Sequence, residues 1–281
     1  RGSLAPTYQS TLDNYAGSAT FEVSDESFED VNYWLDSLFG TVSPTGAGPY
    51  VRAYAAPTTA AVTPHFMTLQ WGQANGVFQL QDASVASLTL SGADNTGIQV
   101  GGSIIGGKVT AGTYTSLNDR TGTTRMSGCM ASVSIADWSS SSFTALSSSA
   151  FSWELSINSN REYRGYLGDC TPTAYHDQKW NGQLRLSLEL NTTTAAYLTT
   201  MLDSAGSTIL ERQVEIKYST TTSGKARSMT IKFAGHSMQA PELFQDRNGV
   251  ATYDLVLDGV YNSKLTNWLT ISTESGAAAF V

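Results

Sequence analysis

This chain of 281 residues is poor in charge, with Asp, Glu, Lys and Arg at 14% against about 25% in an ordinary soluble domain. It has only two cysteines, Cys129 and Cys170, and three histidines, His65, His176 and His236. Two cysteines without a CxxC spacing exclude a disulfide framework and a cysteine zinc site. Histidines with no HxH or HExxH pairing exclude the common two-nitrogen metal clamps. No apolar run approaches the roughly 20 residues of a membrane span, and Arg1 to Pro6 lack the apolar core of an export signal. The expectation is a chain born in the cytosol with no membrane partner. Sixteen basic residues against twenty-four acidic ones leave a net charge of −8, which argues against a groove that grips nucleic acid by releasing its counterions.

What remains is apolar and small-polar. Hydrophobic residues at 41% and aromatics at 10% can fill a core, the reverse of the disorder signature. A surface of Ser, Thr, Asn, Gln and Gly is easily desolvated against neighbouring subunits. Most of the chain alternates with period two between turn residues, so strands dominate. The clearest cover Ser18–Val23, Phe66–Trp71, Val77–Leu80, Val85–Leu90, Ala131–Ile135, Ser152–Ile157, Leu184–Leu190, Val214–Tyr218, Met229–Phe233, Tyr253–Leu257 and Trp268–Ile271. Asn75-Gly76 and Asn248-Gly249 supply the positive φ angles of tight hairpins. Two segments read as amphipathic helices. Ser24 to Phe39 gathers Phe28, Val31, Trp34, Leu35 and Leu38 on one face, capped by Ser24 or Asp25 and closed by Gly40. Asn191 to Ala205 gathers Ala195, Leu198, Met201 and Leu202, capped by Asn191 or Thr192 and closed by Gly206.

These two strand-helix units are one element used twice. Glu22 and Glu189 lie 167 residues apart, as do Leu35-Asp36-Ser37 and Leu202-Asp203-Ser204, and Phe21-Glu22-Val23 matches Leu188-Glu189-Leu190. Several strands follow each helix, so the sequence reads as an internal duplication: a first domain over 1–136, a Ser/Thr-rich linker over 137–150 and a second domain over 151–281.

No catalytic constellation accompanies this pattern. Gly102-Ser103-Ile104-Ile105-Gly106-Gly107-Lys108 matches the first seven positions of a phosphate loop, but Val109 replaces the magnesium-binding hydroxyl. No helix follows to aim its amides at an anion either, and a glycine-rich hairpin is the better reading. His176-Asp177 has no nucleophile elbow beside it, Asn191-Thr192-Thr193 reads as a helix cap, and Asp246, Asn248 and Asp254 do not keep calcium-loop spacing. Neither metal nor cofactor is expected. The strand faces say more. Ala19, Phe21 and Val23 oppose Ser18, Thr20 and Glu22; Trp153, Leu155 and Ile157 oppose Glu154, Ser156 and Asn158; four leucines from Leu184 to Leu190 oppose Arg185, Ser187 and Glu189. One face of each strand packs and the other is wet.

The opening strand Phe151-Ser152-Trp153-Glu154-Leu155-Ser156-Ile157-Asn158, and Gly182 to Leu190 leading into a capped helix and further strands, resemble the major tail tube protein of long-tailed, siphovirus-like bacteriophages, in its duplicated-domain form. The resemblance spans nearly the whole chain. It implies a mainly β protein of two tandem tail-tube-like β-sandwich or half-barrel domains, each with one flanking α-helix. Sheets of neighbouring subunits then join into a barrel ring, trimeric with pseudo-sixfold symmetry or hexameric, and rings stack into a tube. The implied partners are further copies of itself, a tape measure protein, a tail terminator and viral DNA that passes without tight binding. The implied location is the virion tail, assembled in the host cytoplasm. Glu22, Glu189 and Glu154 would face the DNA in the lumen, with Arg185 making the lining mixed. The charged stretch Asn160 to Asn181, with Arg161, Glu162, Arg164, Asp169, Asp177 and Lys179, would be the loop that sets ring-to-ring register. The first unit has no clear counterpart of the second unit's opening strand and long loop. The rival is a glycan-binding β-sandwich stacking sugars on Trp138, Trp180 and Tyr175.

Overall fold

The computed structural model describes residues 16–73, 76–113, 123–146, 149–164, 174–203, 209–222, 224–237, 245–247 and 249–276. The first stretch of the chain forms β1 (Gly17–Val23), α1 (Val31–Phe39), β2 (Tyr50–Ala55), β3 (Met67–Gln73), β4 (Gly76–Ala93), β5 (Gln99–Gly106), β6 (Val109–Gly112), β7 (Ala131–Asp137) and β8 (Thr144–Ala145). Then come β9 (Ala150–Asn158), β10 (Arg161–Arg164), β11 (Ala174–Asp177), β12 (Asn181–Glu189) and α2 (Ala195–Asp203). The chain continues through β13 (Leu210–Thr222), β14 (Lys225–Ser237), β15 (Gln245–Arg247), β16 (Val250–Gly259) and β17 (Leu269–Ser275). The protein is mainly β, as composition and periodicity predict, and every strand read from the sequence falls on one of these. Val77–Leu80 and Val85–Leu90 are two parts of the single strand β4, which turns at Asp82 with φ 50° and bulges between Val85 and Ser87.

One antiparallel sheet runs β1-β5-β4-β9-β12-β16, with β15 beside the start of β16. A second layer runs β2-β17-β14-β13-β7-β8. The two meet where the end of β14 pairs with the end of β16, and a small sheet forms where β3 and β6 flank the first half of β4. The two halves pair alike. In the first, β1 pairs β5, β5 pairs β4, and the early part of β4 is flanked by β3 and β6. In the second, β12 pairs β16, β16 pairs β15 and the end of β14, and β14 is flanked by β13 and β17. Pairings also cross the middle of the chain: β4 with β9, β7 with β13 and β2 with β17. The 137–150 stretch contains β8 and does not separate two sheets.

Alternation puts the apolar faces of both layers together. Leu88, Leu90, Trp153, Leu155, Ile157, Leu184, Leu186 and Leu188 of the long sheet are buried, as are Val214, Ile216, Tyr218, Met229, Ile231, Phe233, Leu269 and Ile271 of the second layer. Each such side chain contributes about 1.5–3 kcal/mol. The Trp153 indole donates to the Tyr218 hydroxyl at 2.9 Å, tying the layers together. Gly102 on β5 has a structural reason, since a Cβ there would stand 2.1 Å from the Ser87 carbonyl oxygen.

Helix α1 begins later than the amphipathic pattern suggests. Asp25 has φ 58°, the Glu26 amide is held by the Ile98 carbonyl, and the effective cap is Ser27, whose hydroxyl accepts from the Asp30 amide at 2.9 Å and donates to its carboxylate at 2.8 Å. For α2 the expected cap is in place: Asn191 Oδ1 accepts from the amides of Thr193 and Thr194 at 3.0 and 3.1 Å. Its expected end at Gly206 lies outside the described residues.

Candidate functional site

The wet faces predicted strand by strand form one surface. Pairing aligns Glu22, Gly101, Thr89, Ser156, Gln183 and Asp258 in one row across six strands. The row on one side is Thr20, Ser103, Ser87, Asn158 and Asn181, and the row on the other is Gln99, Ser91, Glu154, Arg185 and Val256. Residues paired across antiparallel strands share a face, so Glu22, Glu154 and Glu189 lie on the same side of the long sheet. Glu22 and Glu154 are exposed, and Glu189 is half-buried opposite Thr252.

Arg185 does lie among these carboxylates. It stands opposite Glu154 and donates to Asp254 Oδ2 from Nη2 at 2.5 Å and from Nε at 3.1 Å. Arg247 leans over the Phe151 ring at 4.9 Å. The face therefore carries Glu22, Glu154, Glu189, Asp254 and Asp258 against two arginines, both engaged. Sequence reading weighed Asp254 only for a calcium loop and did not single out Asp258, although both occupy the wet positions of the strand Tyr253–Leu257 and its extension. Two open depressions lie on this surface. A concavity of ≈ 530 Å³ is lined by Ser91, Gln99, Glu154, Arg185 and Asp254 among others, and one of ≈ 410 Å³ by Ser87, Thr89, Ser156, Asn158, Gln183 and Asp258. Hydroxyls and amides dominate it, which suits a surface that wets without gripping.

The charged stretch from Asn160 to Asn181 divides. Arg161 and Asp177, expected at a ring-to-ring contact, are turned inward. Their side chains are 0% and 3% exposed, paired at 2.6 Å through Nε and 3.1 Å through Nη2. The rest of the Arg161 fork reaches the Ser84 hydroxyl and the carbonyls of Val85, Ser37 and Leu38, at 2.6, 3.0, 3.2 and 3.1 Å. The last two are carbonyls at the negative end of α1, where a cation is favoured. A bidentate, fully hydrogen-bonded arginine can be buried without an orphan charge. It fixes the root of the β10–β11 arm to the first half of the chain. Tyr163 in the arm donates to the Asp82 carbonyl, and burial pushes its phenol up to about 12. Glu162, Arg164 and Lys179 remain exposed, with Arg164 Nε donating to His176 at 3.1 Å. Asp169 lies outside the described residues.

The aromatics of the glycan reading form no shared platform. Trp180 is buried, packed on Phe39 at 5.3 Å with its indole donating to Asp177. Tyr175 is held between Arg161 and Phe66, and Trp138 is half-buried. Neither a protein-family model nor a curated protein matches this chain.

Proposed function

We propose that this chain is a structural protein of a bacteriophage tail tube, built of two tandem copies of one β-rich unit, whose long sheet joins those of neighbouring copies into a ring enclosing the path of viral DNA. One observation carries this reading. The pairing scheme of the long sheet repeats after four strands, from β1-β5-β4 to β12-β16-β15, and each repeat ends in a strand that needs the next unit's edge, as β4 takes β9. Four antiparallel steps leave β1 and β12 parallel, as copies related by rotation must be.

The stagger also fits a barrel. The row of Glu22 meets β12 at Gln183; Gly107 and Val260 donate alike to Gln81 and Ala234, which makes Gly106 and Gly259, and through their strand pairings Glu22 and Ser187, equivalent, and Ser187 stands four residues further on. Four residues at about 3.3 Å, over four strand spacings of about 4.8 Å, give a strand tilt of about 35°. Six such four-strand repeats, of which the described residues of each chain supply seven strands, would close at a backbone radius of about 22 Å, wide enough for a duplex. No counterpart of β9 stands beside β1 among the described residues, and that edge would receive a strand when the ring closes. Closure removes the open edges that otherwise invite aggregation.

The concave, acid-rich face supports the lumen assignment. Carboxylates there repel phosphate, and a lining of Ser, Thr, Asn and Gln offers weak, exchangeable contacts, so DNA can pass without being held. The exposed charges Glu162, Arg164 and Lys179 remain available for stacking ring on ring. The protein has no catalytic role in this reading. Mass measurement and negative-stain imaging of the purified chain test it: rings or tubes are expected, whereas discrete monomers that bind an immobilised glycan array would support the sugar-binding alternative.

A further inference from the structure

The outer sheets of the two halves differ in what covers them. In the second half, Ile216, Ile231, Leu269 and Ile271 face inward from β13, β14 and β17 and are fully buried. The start of α1, from the first half, reaches β17 and β14 of this sheet. Asn32 accepts from Thr273 of β17 at 2.5 Å, and Glu29, just before the helix, accepts from Arg227 of β14 at 2.6 Å. In the first half the matching sheet is β3-β4-β6. Its pairing places Trp71, Phe78, Val109 and Ala111 where the second half has Ile216, Ile231, Leu269 and Ile271. Leu80, the counterpart of Phe233, is buried against Gly17 and Gly106 of β1 and β5. Beyond it the apolar face runs into solvent: Trp71 is 42% exposed, Phe78 48% and Val109 44%.

The helix of the second half is incomplete in the complementary way. The 167-residue shift maps Val31 onto Leu198, and both are buried against the body. It maps Glu29 and Asn32, which reach the neighbouring sheet from the start of α1, onto Ala196 and Thr199, and both of these are exposed. An apolar sheet without its helix and a helix face without its sheet thus occur on one chain, while their counterparts are already joined inside it.

We infer that the Trp71–Phe78–Val109 face docks on the Ala196–Thr199 face of α2 from a second copy of this chain, reproducing between copies the contact that α1 makes with β14 and β17 within one. The contact is head to tail, so it propagates around a ring instead of ending in a two-fold dimer. Small residues on α2 leave room for the larger rings of Trp71 and Phe78. This inference rests on the duplication and ring reading above and names the interface that the reading requires.

Cysteine pairing tests it. In a Cys129→Ser, Cys170→Ser background, Phe78→Cys and Thr199→Cys chains are prepared separately, mixed where the parent assembles, and treated with a short bismaleimide. Cross-linked dimers with one chain of each kind are expected, with neither preparation alone giving them. Trp71→Ser with Phe78→Ser should raise the concentration needed for assembly by about thirtyfold or more, the scale of losing an interface hot spot. The melting temperature should hold, because both side chains are already half in solvent. Rings that form without the mixed cross-link, with products joining two Phe78→Cys chains instead, or with the double variant assembling like the parent, overturn this docking and leave the ring reading standing. A parent that stays monomeric at every concentration overturns the ring reading and this inference with it.

Discussion

Charge is scarce in this protein, and two regions use it in opposite ways. On the concave face of the long sheet, Glu22 and Glu154 stand in solvent and Arg185 is half-exposed, its guanidinium spread over Asp254. Around α1, by contrast, charges are buried in pairs: Arg161 with Asp177, and Arg227 with Glu29 at 2.6 Å with side chains 9% and 10% exposed. Each buried pair joins distant parts of the chain. The inner charges specify which elements meet, and the outer ones give the hollow its sign. The first use demands exact geometry and costs much to break; the second needs only sign and position, and breaking it should barely affect folding.

The largest effect is expected at Arg161. Arg161→Ala removes the charged donor of the Asp177 carboxylate, which keeps the neutral Trp180 indole, and that of the last carbonyls of α1. Chemical denaturation should show a loss of about 3–5 kcal/mol, and a loss below about 1 kcal/mol would mean that the pair is not buried as described.

A smaller effect is expected at Tyr54, whose hydroxyl donates to Asp36 Oδ1 at 2.8 Å. Tyr54→Phe should cost about 1–3 kcal/mol. Asp36 also gives a pH signature. Burial raises its carboxyl above the usual carboxylate range, against the opposing pull of Tyr54, the Val42 amide, Arg52 and His65, and its Oδ2 has no hydrogen-bond partner among the described residues. A carboxyl raised on folding binds its proton more tightly in the folded state, so this group adds stability as pH falls through its raised value, complete below the unfolded value of 3.8. The stability of the parent relative to Asp36→Asn should therefore increase on acidification, and a difference that is flat or decreases would contradict the burial.

The smallest effect on stability is expected on the hollow face. Glu22→Lys with Glu189→Lys should change folding stability by less than about 0.5 kcal/mol. Under the proposed ring reading it should nonetheless slow DNA passage through tubes built from the variant, most at low salt where screening is weak. Unchanged ejection kinetics at low salt would remove these two residues from the DNA path.

Much of the fold was legible because period-two alternation is a local property. Ser18–Val23, Ser152–Ile157 and Leu184–Leu190 show it plainly, and their wet positions are the ones that share the concave face. Strand β5 was hidden by Gly101, Gly102 and Gly106, which erase the alternation; at Gly102 the close approach of the Ser87 carbonyl requires it. Strand β2 was hidden because Arg52 stands on its inward side between Tyr50 and Tyr54, and Arg52 is 1% exposed. Arg161 looks like any surface arginine until β11 brings Asp177 back to it. The order of strands across the sheet depends on pairings far apart in sequence, such as Leu90 with Leu155, and these leave no local trace. The 167-residue match of Glu22 with Glu189 was the one long-range signal in the sequence, and the strand pairing departs from it by two residues, setting Glu22 in the place of Ser187.

The central claim is that the polar face of the long sheet lines a closed channel. A strand-resolving electron microscopy reconstruction of purified assemblies, viewed down their axis, tests it most directly. The account predicts a ring whose inner wall carries Glu22 and Glu154 on strands tilted by about 35°; assemblies in which that face looks outward would contradict it.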